Sequence, residues 1–400
     1  MSEQTDSALK QLWKSLFGHS WPVYIGGIIL ATLNILLFIV YKPWGGTGTY
    51  ISWGQNFYKI FGMYKDSPGI FGHMYGLLGV VTVLGAFVAA LFSKEFAIRI
   101  PPIGELFKGF LGGILMAIGC TIGLGCTVGG FLSGWPAMSA GGVILVLGFV
   151  LGTWIALKYL LWEMEHLPKM SMGKSFNWLS SKKKSKLQPI IGWIVTLAVL
   201  IGGSIIYKEK YAFTWFLILG FIIGLVLQKS RFCIVRAFRE PFMTGESEAP
   251  IGVMAAIIVT LLGFTVIKYM GVGASTLGGA RILAMTWVSA NFWLNALIGG
   301  TIFGFGMTIA GGCAVGCLWR VGEGQVKLWM AAIGFLLMAP ISQQYIAAPF
   351  LRILPESTQK AIFLPDVIGY AGGVLLIAFI ILLWYIFVKW NERTGKFTAL

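Results

Sequence analysis

Charge is what this chain has least of. Only 11% of its 400 residues are Asp, Glu, Lys or Arg, against about a quarter in ordinary soluble domains. With 57% hydrophobic residues and a mean hydropathy of +0.82, a water-soluble globule is excluded and the expected solvent is a bilayer. Acids are scarcer than bases, 15 against 30. The apolar stretches hold almost no Asp or Glu, Glu105 and Asp366 falling at their edges, so the intramembrane carboxylate relay of many proton-coupled carriers is not expected. A phosphate-binding loop is also missing. Gly173-Lys174-Ser175 has the form of its tail, but the glycine required five residues earlier is Pro168, which argues against ATP hydrolysis. The three histidines, His19, His73 and His166, sit near span ends, and no catalytic constellation forms around them. Five cysteines spread over apolar segments, with no secretory signal peptide before Trp21 and no Cys-x-x-Cys, do not make a disulfide framework. They read as reduced thiols. No catalytic residue, resident metal or cofactor is expected. The net charge of +15 suggests nucleic acid in a soluble protein, but here the bases flank apolar spans, as the loop charges of membrane proteins do.

What the chain does have is an internal duplication. Gly119 to Gly130 reads Gly-Cys-Thr-Ile-Gly-Leu-Gly-Cys-Thr-Val-Gly-Gly, and Gly306 to Cys317 reads Gly-Met-Thr-Ile-Ala-Gly-Gly-Cys-Ala-Val-Gly-Cys. Slid by 187 positions without a gap, Gly112 to Gly129 matches Gly299 to Gly316 at 9 of 18 residues, where composition alone gives roughly one or two. Cys126 falls on Cys313 and Gly129 on Gly316, while Cys120 and Cys317 are each private to one copy.

Residues 1–20 are polar to amphipathic, with Leu9, Leu12, Trp13, Leu16 and Phe17 at helical spacing, which predicts an interfacial helix. Ten apolar stretches of membrane-crossing length follow, at about 21–40, 73–93, 106–126, 142–162, 189–207, 211–232, 251–270, 294–316, 328–350 and 366–388. The predicted fold is all-α and polytopic, with about 9–10 transmembrane helices. Dense glycine in the third and eighth stretches predicts broken or re-entrant segments there. The first membrane repeat covers 21–162, a basic linker 163–188, the second repeat 189–390 and a tail 391–400. Twenty of the basic residues fall on the side of the termini and nine on the other, the linker with Lys182-Lys183-Lys184 contributing most, so both termini and the linker are expected in the cytoplasm of a cell with this protein in its inner membrane. Because the duplication maps the third stretch onto the eighth, five apart, the halves must run oppositely through the membrane. That is an inverted repeat.

Glycines 119, 123, 125, 129 and 130, and 306, 311, 312 and 316, permit close backbone approach and left-handed conformations. At membrane depth irregular backbone is tolerated only where it is buried in protein or lines a cavity, so the two segments are expected to meet near the midplane and to turn helix N-termini towards an anion. Close helix packing by small residues is the competing explanation of the glycines. A thiol suits contact with soft sulfur or selenium better than with hard oxygen; the competing readings are small buried hydrophobes, and a soft-metal or redox site at Cys313 and Cys317, spaced i and i+4. The fifth cysteine, Cys233, sits among Lys229, Arg231, Arg236 and Arg239, which serve either as flanking charge or as cations that draw an anion inward.

The duplicated Gly-Cys segments, Ser230-Arg-Phe-Cys233 with Ala237-Phe-Arg-Glu240, and Gly312-Cys-Ala-Val-Gly316 followed by Gly324-Gln325 resemble the YeeE/YedE family of sulfur-transport membrane proteins, over residues 20 to 390 and more closely its YedE arm. The resemblance implies an hourglass-shaped inverted repeat that imports thiosulfate, its functional cysteines carried over to Cys126, Cys313 and Cys233, and handover to a small cytoplasmic carrier of the TusA/SirA kind. It leaves Cys120 and Cys317 without assigned roles and admits a selenium species as an alternative substrate. The candidate substrate-binding set is Cys126, Cys313, Cys233, Cys120, Cys317, Gly125, Gly129, Gly312, Gly316, Arg231 and Arg236. A membrane thiol redox or metal-binding protein is the reading from another class.

Overall fold

Ten long apolar helices run through the protein, seen in a computed structural model that describes residues 11, 13–166, 176–178, 187–290, 292–355 and 358–398. They begin where the uncharged runs begin, because a backbone without water satisfies its N–H and C=O groups most simply within a helix. We label them with the shorter helices between them: α1 Val23–Val40, α2 Thr47–Lys59, α3 Met74–Phe92, α4 Ile103–Ile122, α5 Ala140–His166, α6 Gln188–Ile206, α7 Tyr211–Ser230, α8 Ile234–Met243, α9 Glu248–Met270, α10 Leu294–Ala310, α11 Ala314–Glu323, α12 Val326–Ile353 and α13 Leu364–Thr394. Ten of these are long enough to span a bilayer, α7 continuing into α8 and α10 into α11. The one sheet among the described residues is a two-stranded antiparallel pairing of Ile98–Ile100 with Phe176–Trp178.

Helices 4, 5 and 10 form the tightest part of the core, and glycine is the reason. A methyl group on Gly119 would overlap the backbone of Phe303, and one on Gly299 the backbone of Gly123. Without an apolar driving force between helices in lipid, such close backbone approach is how they gain dispersion contact. The packing explanation of the glycines therefore holds for this subset. Helices 6 and 13 lie at the rim, with most of their large apolar side chains exposed, as lipid-facing helices require.

Both ends of the described chain reach one face. Trp21 N donates to Lys229 O at 2.8 Å and Asn391 Nδ2 donates to Pro241 O at 2.6 Å, so this terminal face carries the α7–α8 junction. Residues 13–17 are helical there, the rings of Trp13 and Phe17 each 5.0 Å from Phe92. The far face carries the connections 41–73, 123–139 and 271–293. On it His73 caps α3, its Nδ1 accepting from Gly76 N at 3.2 Å, and burial lowers its pKa, as suits a neutral acceptor. Most of the linker 163–188 and nearly all of residues 1–12 lie outside the described residues.

Candidate functional site

Two breaks in the helices create the site. After α4 the chain turns through Leu124 (φ +53) and after α10 through Gly311 (φ +81), residues 187 apart. Each turn is followed by an extended cysteine: Cys126 at φ −101, ψ −178 and Cys313 at φ −80, ψ 179. Each thiol sulfur then accepts the N–H three residues on, Cys126 from Gly129 and Cys313 from Gly316, both at 3.3 Å. This is the role that serine or aspartate oxygen usually takes at a helix start. Cys126 opens a six-residue helical turn, Thr127–Leu132, and Cys313 opens α11. The breaks are thus sharp turns after complete helices, and the short helices are the pieces that follow them.

Two further short helices start at the same place. The first, α2, has Gly46 at its N-cap and the second, α8, has Cys233; these residues are again 187 apart. A methyl on Gly46 would lie 3.4 Å from Cys126 Sγ and 3.2 Å from Ala314 Cβ, and one on Gly316 would lie 3.3 Å from Cys313 Sγ and 3.7 Å from Cys233 Sγ. All three thiols of the resemblance and four helix N-termini therefore gather around one small region, buried to 2% exposure or less at each cysteine.

Side chains absent from the sequence-based set hold this junction. Asn34 Oδ1 accepts from Trp44 N at 2.8 Å, Asn34 Nδ2 donates to Ser133 Oγ at 3.0 Å, and Ser133 Oγ donates to Trp44 O at 2.8 Å. That closed triangle ties the approach to Gly46 to the Cys126 turn. Tyr50 Oη donates to Ala314 O at 2.6 Å while its ring stacks on Phe335 at 4.2 Å. A lone Asn within an apolar run is the one signal that sequence offers for the triangle.

A cavity of about 450 Å³ reaches the junction from the far-face side, lined among others by Cys126, Cys120, Gly125, Gly129, Tyr75 and Trp287. On the other side lies a void of only about 10 Å³, walled by Cys313, Cys233, Gly316, Phe232, Val128 and Val315, room for one water at most. Apolar side chains therefore close the space between Cys126 and Cys233. Cys120 faces the large cavity and donates to Ala117 O at 3.3 Å. Cys317 borders neither space and donates to Gly312 O at 3.7 Å.

Of the cations near Cys233, Lys229, Arg231 and Arg236 are engaged, while Arg239 makes no hydrogen bond or ion pair among the described residues and its buried Nε has no partner. Arg231, left-handed at φ +51, reaches Glu95 at 3.2 Å and Glu323 at 3.6 Å; Arg236 pairs with Glu240. Arg99 approaches Glu323 at 3.6 Å. Lys108 meets Glu163 at 2.7 Å and also Glu105, which Lys327 shares. Glu163, Glu240 and Glu323 are buried. Carboxylates do enter the interior on the terminal side, each beside a cation, because only pairing offsets the desolvation of a charge. Among the described residues no three His, Cys, Asp or Glu side chains are placed to share a metal ion.

A family model described as sulphur transport matches residues 1–155 and 229–399. The "Probable transporter YedE" of Salmonella typhimurium is 25% identical over 404 residues, covering 96% of this chain and 95% of that protein; its namesake in Escherichia coli is 25% identical over 401 residues with the same coverage. The "Thiosulfate transporter TsuA" of Escherichia coli is 27% identical over 186 residues, 46% of this chain and 49% of that protein.

Proposed function

The chain belongs to the sulphur-transport family, and from that premise we propose that it imports a soft chalcogen anion such as thiosulfate through the Cys126–Cys313–Cys233 junction. The observation that carries the reading is the paired cysteine N-caps at matching positions of two segments, one facing a cavity and the other a closed void. Three of the converging helices have ten residues or more. Each N-terminus is equivalent to about half a positive charge, so together with the Thr127–Leu132 turn they offset much of a divalent anion. The thiols add polarisable contacts for its soft end. The matching of Leu124 with Gly311, Cys126 with Cys313 and Gly46 with Cys233 supports reading the halves as an inverted repeat.

Inward movement of an anion against an inside-negative potential needs a pull, about 2.3 kcal/mol per charge at 100 mV. Capture by a cytoplasmic TusA/SirA-like carrier, docking on the terminal face, supplies it in this reading, with both termini cytoplasmic. Full-length likeness to proteins called only probable transporters, beside half-length likeness to thiosulfate transporters, keeps a selenium species as the second substrate to test. The experiment is uptake by cells lacking other routes for sulfur anions, given one labelled compound at a time. Uptake of thiosulfate or its selenium analogue, dependent on the carrier, is the expected result. A redox protein moves nothing, and absence of uptake for every compound would overturn the reading.

A further inference from the structure

One side chain, Trp287, separates the cavity of Cys126 from a second depression, of about 430 Å³, that carries Lys42 and Arg281; it lines both. Its backbone is left-handed, φ +64, a strained state for a bulky residue that persists only where the surroundings impose it. The imposition is visible on both sides. Just before it, the buried Lys268 ammonium donates to Thr286 O at 3.0 Å, and to Ala137 O and Ala284 O, each at 2.8 Å. Just after it, Ser289 N donates to Ser139 Oγ at 2.9 Å. The indole lies against the backbone at Gly45, where a methyl would be 2.9 Å from its Cζ2, and 6.0 Å from the ring of Tyr75, itself fixed by donation to Pro43 O at 3.0 Å.

What this rigid mounting presents is a donor without a partner. The indole Nε1 is 3.6 Å from where a Gly129 side chain would begin, and Cys126 Sγ is 3.8 Å from the same point. Nε1 hydrogen-bonds to no described residue. An N–H and a thiol thus flank one bare glycine on the wall of the cavity, the first suited to an oxyanion oxygen and the second to a soft chalcogen.

We propose that Trp287 is a selectivity residue on the far-face side: its indole N–H donates to an oxygen of a sulfonate-ended anion while the anion's terminal, one-coordinate sulfur or selenium lies against the Cys126 thiol. The inference rests on the transport reading above and narrows it to two-ended substrates. Sulfate lacks the soft end, and sulfide lacks the oxygen.

The test is labelled thiosulfate uptake by the full-length protein, with Trp287→Phe, which keeps ring and wall but loses the N–H, and Trp287→His, which restores a ring N–H. We expect Trp287→Phe to raise KM roughly tenfold, the loss of a hydrogen bond to a charged group, with maximal rate within about twofold, and Trp287→His to recover most of it. Competition in the parent protein is a second readout independent of the variants' folding: unlabelled thiosulfate inhibits uptake at lower concentration than sulfate or sulfide. Parent uptake with an unchanged KM in a normally inserted Trp287→Phe, or equal competition by all three anions, overturns the role of Trp287 and leaves transport standing. No uptake by the parent of thiosulfate or its selenium analogue overturns the transport reading itself.

Discussion

Cys126 and Cys313, 187 residues apart, make the same hydrogen bond with the same length, each sulfur accepting the backbone N–H three residues on at 3.3 Å. A serine would cap each helix as well or better, so capping alone gives no reason for sulfur at both places. Cys126→Ser and Cys313→Ser are each expected to insert normally and to lower uptake at least about tenfold, the loss of a soft contact with the anion. If both serine variants transport like the parent, the thiols are packing residues.

Tyr50→Phe removes only the hydroxyl that donates to Ala314 O across the junction. The cost is about 1 kcal/mol, to be read as a fall of a few degrees in the thermal unfolding midpoint of the purified protein. No change in midpoint would show that the hydroxyl bond to α11 adds nothing to the hold that the ring stacking on Phe335 gives α2 against α12.

Two glycine-to-alanine changes separate close packing from backbone freedom. Gly299→Ala sets a methyl into the backbone of Gly123, and protein of normal abundance is not expected. At Gly271, φ +71 with nothing within 4 Å of the added methyl, alanine costs only about 1–2 kcal/mol, and this variant is expected to accumulate and remain folded. Equal abundance of the two variants is the contrary outcome.

The cap at His73 gives a pH dependence with a definite sign. Burial lowers its pKa in the folded state, so the unfolded chain takes up the proton first. Its contribution to stability is present above the unfolded value of about 6.5 and falls as pH drops from there through the folded value. Parent protein should lose more thermal stability between pH 7.5 and 5.5 than His73→Asn, which caps without titrating. Parallel losses in the two proteins would remove the assignment.

The 20 to 9 distribution of basic residues predicts that both termini and the linker are cytoplasmic. Reporter fusions at Leu400 and at Lys186 are expected to read as internal, and one at Ile60 or Tyr211 as external. An external reading at Leu400 reverses the orientation.

The long helices were legible because each is a run of some twenty apolar residues, the one pattern that a bilayer imposes directly. All ten appear at the expected places. Helices 2 and 8 were not, since Thr47-Gly-Thr-Tyr-Ile-Ser-Trp-Gly54 and Ile234-Val-Arg-Ala-Phe-Arg are too short and too polar for that pattern, and their register becomes visible only through the 187-residue offset. The partners of the cations escaped for another reason. Glu163 pairs with Lys108 55 residues away, and Glu323 with Arg231 92 away; no local spacing announces such a pair. Trp287 was hidden likewise, in a connection whose left-handed turn is imposed by Lys268 and Ser139.

Gly46 stands where its counterpart is Cys233, and in the transport reading proposed above that difference gives the junction a sense of direction. A doubled scaffold with identical ends treats both sides of the membrane alike. Here the cap on the α7–α8 side carries the Cys233 thiol, while the opposite cap, Gly46, presents bare backbone and the nearest thiol beyond Cys126 on that side is Cys120 on the cavity wall. On that reading a thiol at one cap and none at the other tilts the energy profile towards the terminal face, so part of the polarity of the device is written in one pair of residues and not in its architecture.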